Sequence, residues 1–120
     1  MHIDFIKWMV GYAEGFNLEP SKELQILTPD GNIFTFDEDQ PSWQKSAWKN
    51  EVYPLLLQRA IEGINKIHTV FDILQSSEGI DIVEKEGNPI IIDVEWYFKD
   101  YTIIQAKEQA LEYVCEQETK

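Results

Sequence analysis

The stretch "IDIVEKEGNPIIIDVEWYF", residues 80 to 98, alternates apolar and acidic residues on either side of a turn-like hexapeptide. Alternation with a period of two marks a strand with one buried and one wet face. The intervening "EKEGNP" carries the glycine, asparagine and proline of a turn. Strands are therefore expected over 80–84 and 90–98, with Pro89 tolerable at the head of the second. A three-residue loop at Glu86-Gly87-Asn88 sets Ile82 against Ile92 and Ile80 against Val94 on one apolar face, which Trp96 and Phe98 extend. The same register places Asp81 directly opposite Asp93, with Glu95 two residues along and Tyr97 beside it on the acidic face.

Upstream, residues 70–74 read as a third strand, joined to 80–84 through "QSSEG". A second hairpin stands in "ELQILTPDGNIFTFDED", residues 23 to 39. In Thr28-Pro29-Asp30-Gly31, proline presets the first turn angle and glycine takes the left-handed one, the chemistry of a three-residue loop with a bulge. That loop pairs Ile26 with Phe34 and Leu24 with Phe36 on one face and leaves Gln25 and Thr35 on the other.

Three segments have helical spacing. In residues 3–14, Phe5, Met9 and Tyr12 recur with Phe16, and Ile6, Val10 and Ala13 widen the face. Gly15 is a C-terminal stop. In "VYPLLLQRAIEGINKI", residues 52 to 67, Pro54 fits a first helical position, and Tyr53, Leu56, Leu57, Ala60, Ile61 and Ile64 form one buried stripe. The last helix starts near Thr102, which with Gln105 makes a capping box, and buries Ile103, Ala106, Ala110, Leu111 and Val114. The polar "DEDQPSWQKSAWKNE", residues 37 to 51, reads as a connecting loop pinned by Trp43 and Trp48. The expected fold is α+β in the order α-β-β-α-β-β-β-α: a small antiparallel sheet of two hairpins and about five strands, packed by three helices in one domain over 1–120.

Twenty-two acids against ten bases give the 120-residue chain a net charge of −12. Such a field repels phosphate backbones and anionic membranes, so direct nucleic-acid and membrane binding are disfavoured, and it attracts basic protein surfaces and divalent cations. Hydrophobic residues make up 43%, with four tryptophans, which argues against disorder. No apolar run approaches the roughly 18 residues of a membrane span. Asp4 and Glu14 stand where a signal peptide would be basic, so a cytoplasmic location is expected. The single Cys115 cannot form an intrachain disulfide or build a zinc site alone, and it reads as a core or boundary residue.

The segments "FIKWMVGYAEGF" (5–16), "YPLLLQRAIEGINK" (53–66) and "AKEQALEYVCEQE" (106–118) together resemble a group of small phage and prophage proteins of uncharacterised function. The resemblance implies a phage-related origin and work inside a bacterial cytoplasm. It also implies an accessory role, such as inhibiting a host or defence protein or modulating phage replication. It carries over no site residues.

Asp81, Asp93 and Glu95 converging on one sheet face would suit Mg²⁺ or Ca²⁺, or could raise one another's pKa for acid/base work. However, no histidine completes such a site, the D-x-D-x-D-G calcium loop is missing, and Glu84 and Glu95 lack the acid-x-lysine spacing of nucleases. His2 and His68 read as isolated. No catalytic residue, metal site or cofactor is therefore assigned. Carboxylates spaced along strands can instead imitate a phosphate backbone for a protein with a basic groove. Asp81, Asp93, Glu95 and Tyr97 are accordingly the expected contact patch for a protein partner, one that handles nucleic acid. The alternatives are a metal-dependent enzyme using the same carboxylates, and a self-associating assembly component that forms homo-oligomers.

Overall fold

The computed structural model describes residues 3–19, 25–35, 42–77, 79–87, 89–94 and 102–118. Along them run α1 (Ile3–Tyr12), β1 (Asn17–Leu18), β2 (Gln25–Leu27), β3 (Ile33–Thr35), α2 (Ser42–Ala47), a π-helical turn (Trp48–Val52), α3 (Tyr53–Ile67), β4 (Phe71–Gln75), β5 (Ile80–Glu84), β6 (Ile90–Val94) and α4 (Ile103–Glu118). The fold is α+β as expected. Among the described residues, however, the strands number six rather than five, and they form two separate three-stranded antiparallel sheets, β1-β2-β3 and β4-β5-β6.

The stripe on α3 lies at the centre of the core, and all six of its expected residues are buried. They join one apolar cluster with Phe5, Ile6, Met9, Val10 and Ala13 of α1, Ile26 and Phe34 of the first sheet, Ile73, Ile80 and Ile82 of the second, and Ala106, Ala110, Leu111 and Val114 of α4. Ile103, expected in that last stripe, is half exposed at the first turn of α4. The helix start itself is as read: Thr102 N–H donates to Gln105 Oε1 at 2.9 Å, and Gln105 N–H donates to Thr102 Oγ1 at 3.1 Å. Helices α1 and α3 approach so closely that Gly63 is the only residue type that fits, because a Cβ there would lie 1.9 Å from the Tyr12 carbonyl oxygen.

The expected loop over 37–51 is helical from Ser42 onward. Gln, Lys and Ala are good helix formers, and none of the residues of this polar helix is buried, so it faces outward. Pro54 stands in the first turn of α3, as read, but helical backbone also precedes it. It has no N–H for the carbonyl four residues back, and its ring crowds that carbonyl. The entering helix widens into the π turn, where Tyr53 N–H reaches the Trp48 carbonyl five residues back. Trp48 does pin this segment, packed between the rings of Phe34 and Tyr53 at centroid distances of 6.2 and 5.6 Å. Trp43 does not, for it is 66% exposed.

The first hairpin has the expected register, Gln25 opposite Thr35 and Ile26 opposite Phe34, closed by Thr28 N–H to the Asn32 carbonyl with Gly31 at φ 87°. The Leu24–Phe36 pair lies outside the described residues. A two-residue β1, too short to show a pattern, adds Leu18 opposite Ile26. In the second sheet β4 pairs with β5 through Ile73 and Ile82. Asn65 of α3 covers the β4 edge: its Oδ1 accepts from Ile73 N–H at 2.7 Å and its Nδ2 donates to the Ile73 carbonyl at 2.9 Å. A free sheet edge is thereby closed with a side-chain amide.

Candidate functional site

The outward face of the second sheet carries the acidic pair read from sequence. Asp81 stands opposite Asp93, Ile82 opposite Ile92 and Ile80 opposite Val94. The turn differs from the expected one. The ladder continues to Glu84 N–H and the Pro89 carbonyl, which leaves a four-residue loop, and a bulge sets Val83 opposite Ile90. The extra residue in β6 offsets the extra residue in the loop, so the outer register is the one expected.

Two rows cross this face. Leu74, Asp81 and Asp93 form one; Asp72, Val83 and Ile90 form the next, with Val83 buried between its two neighbours. Asp72 is held by Lys85 Nζ at 3.6 Å. The Asp81 carboxyl is pushed above the ordinary carboxylate range by its partial burial, by a hydrogen bond with Asp93 and by the charge of Asp93. The face is not uniformly polar, since Leu74 is 51% and Ile90 62% exposed beside these acids. Glu95 and Tyr97 of the expected patch lie outside the described residues, as do Trp96 and Phe98. Among the described residues no group of three or more His, Cys, Asp or Glu is arranged to hold a metal ion. Asp81 and Asp93 alone would offer a cation two carboxylates.

A second polar constellation was not expected. His68 caps the C-terminus of α3, and its Nδ1 accepts hydrogen bonds from the N–H groups of Val70 at 3.1 Å and Phe71 at 3.0 Å. Those two donors assign the ring proton to Nε2, which lies 2.9 Å from Glu118 Oε1. Glu118 Oε1 also accepts from the Tyr12 hydroxyl, and Oε2 accepts from Trp8 Nε1. One carboxylate at the end of α4 thus binds two residues of α1 and the α3–β4 junction. His68, read as isolated, is in fact buried at the hub of this network. Fifty residues separate it from Glu118, so no local pattern could have joined them.

Burial, the hydrogen bond to Glu118 and the Glu118 charge all raise the Tyr12 phenol well above its ordinary pKa, so it remains a neutral donor. Burial and then the charges of Glu118, Glu116 and Glu112 raise the Cys115 thiol. A thiol held protonated is a poor nucleophile, which agrees with its reading as a boundary residue. With Nδ1 occupied and Nε2 protonated, His68 offers no lone pair to act as a base. The network ties α1, the α3–β4 junction and α4 together.

Comparisons with protein-family models, with curated proteins and with solved structures find no match to this chain. No helix among the described residues is long and apolar enough to cross a membrane.

Proposed function

We propose that this chain is a non-enzymatic, phage-related accessory protein that acts in the bacterial cytoplasm by binding another protein. Its contact surface is the outward face of the β4-β5-β6 sheet, and its partner is a basic protein that handles nucleic acid, which it inhibits by occupying the nucleic-acid groove. The observation that carries this reading is the composition of that face. Asp81 and Asp93 oppose one another at a cost of up to about 1 kcal/mol to the fold, with Leu74 and Ile90 exposed beside them. Acids alone would serve solubility. Acids interleaved with exposed apolar side chains give a partner both charge complementarity and area to desolvate.

Glu95 and Tyr97 continue the same face in sequence and belong to the proposed contact. The net charge of −12 supplies long-range attraction to a basic groove and repels free nucleic acid. The test pairs Asp81→Asn/Asp93→Asn with Leu74→Ser in co-purification from nuclease-treated bacterial lysate. Loss of a basic, nucleic-acid-binding partner in both variants supports the assignment. Retention of that partner by both removes the face from the contact.

A further inference from the structure

We infer that the cleft beside Glu118 is a binding site for a compact organic cation: a primary ammonium or guanidinium group on a short apolar stem. The cleft has a volume of about 290 Å³ and is bounded by Tyr12, Ile67, His68, Val70, Phe71 and Glu118. Its chemistry follows from the charge state of the network at its floor. Among the described residues every donor to the Glu118 carboxylate is neutral: an indole N–H, a phenol, and an imidazole whose Nδ1 is committed to two backbone N–H groups. The described residues thus hydrogen-bond the carboxylate without compensating its charge.

Several features sharpen that negative charge. Glu118 occupies the last turn of α4, where the carbonyl end of the helix is itself negative, and that turn holds no basic residue. On the same helix the charges of Glu118, Glu116 and Glu112 all act on Cys115, so this end of α4 is uniformly acidic. Tyr12 faces it from α1 and His68 from the α3–β4 junction. Lys66, the basic residue in the last turn of α3, is engaged with Glu14 at 3.3 Å. Among the described residues no lysine or arginine forms an ion pair with Glu118.

A position remains for a ligand to use. A carboxylate offers about four acceptor sites; here Oε1 takes two donors and Oε2 takes one, and the Glu118 side chain keeps 30% exposure. The walls suit the rest of a cationic ligand. The rings of Tyr12, His68 and Phe71 lie in sequence with centroid spacings of 6.1 and 5.5 Å, a surface that attracts cations through the ring faces. Ile67 and Val70, both substantially exposed, line the same cleft and can cover an alkyl stem.

The experiment titrates the full chain with n-butylammonium chloride at constant ionic strength, following the Trp8 indole and Phe71 amide signals by ¹H–¹⁵N NMR. The expected result is a saturable shift of both signals, absent with n-butanol and weakened by roughly tenfold in Glu118→Gln, as loss of a charged hydrogen bond implies. Val70→Trp fills the cleft without touching the carboxylate network, and it should abolish the shift even if the Glu118 variant folds poorly. A lysine tripeptide with blocked ends separates the two sources of such a cation. Tighter binding than n-butylammonium assigns the cleft to a protein side chain, and weaker binding assigns it to a free amine. No saturable shift, an equal response to n-butanol, or an undiminished response in Val70→Trp would overturn the inference.

Discussion

Gly63→Ala tests the packing on which both surfaces rest. A Cβ on Gly63 would lie 1.9 Å from the Tyr12 carbonyl oxygen, 2.7 Å from its carbonyl carbon and 3.2 Å from its Cα. All three are backbone atoms, so no side-chain rotation relieves the clash, and to open the first distance even to 3.0 Å the two helices must part by about 1 Å. Overpacking of this kind costs typically 1–3 kcal/mol, with the upper end apt where backbone must move. The better helix propensity of alanine returns about 1 kcal/mol, for a net loss near 2 kcal/mol. With an unfolding entropy of roughly 2.1 cal/mol/K per residue, that loss lowers the melting temperature by about 8 °C. Because α1 also carries Trp8 and Tyr12, the shift should loosen their bonds to Glu118. Gly11→Ala is the internal control. Gly11 is exposed with nothing within 4 Å of its would-be Cβ, so alanine there should stabilise by about 0.5–1 kcal/mol. Urea and thermal melts of the two variants decide the matter. A Gly63→Ala protein at least as stable as the parent would refute the α1–α3 contact.

Two further outcomes are expected. Asp93→Asn removes the hydrogen-bonded like charge that helps raise the Asp81 pKa. A raised carboxyl pKa means the folded state binds more protons than the unfolded one, so stability falls as pH rises from the ordinary value of 3.8 through the raised one. The variant should therefore gain about 0.5 kcal/mol near pH 7, the middle of the cross-strand range because both groups are largely solvated. The gain should vanish below pH 3.8 in melts run across pH, and equal gains at both extremes would contradict the pairing. Thr102→Ala deletes one half of the capping box and should cost about 1 kcal/mol by chemical denaturation, whereas Thr102→Ser should cost little.

Legibility in the sequence followed the range of the interactions. The Pro29-Asp30-Gly31 loop and its hairpin, the capping box and the α3 stripe are set by neighbours within a turn or a loop, and the structure holds each as read. The Asp81–Asp93 opposition survived an error in the turn only because the bulge and the longer loop offset one another. The helical reach of residues 42–52 was hidden by polar composition and by Pro54, which marks the first turn of α3 but not the end of the helical backbone before it. It is held by Trp48 between Phe34 and Tyr53, contacts no local pattern displays. The Glu118 network was invisible for the same reason: Trp8, Tyr12, His68 and Glu118 meet only when α1, the α3–β4 junction and α4 pack together. His68 in particular gave no signal, because its role depends on backbone N–H groups that any residues but proline at 70 and 71 would supply.

The proposed contact between the outward face of β4-β5-β6 and a basic nucleic-acid-handling protein can be measured directly. The direct measurement is affinity capture of the tagged chain from nuclease-treated bacterial lysate, washed at low and high salt, beside the Asp81→Asn/Asp93→Asn form. The account predicts a DNA- or RNA-binding protein that is recovered at low salt, released at high salt, competed off by added DNA and absent from the variant's eluate. Equal recovery of that protein by the variant, or recovery of the tagged chain alone, would contradict it.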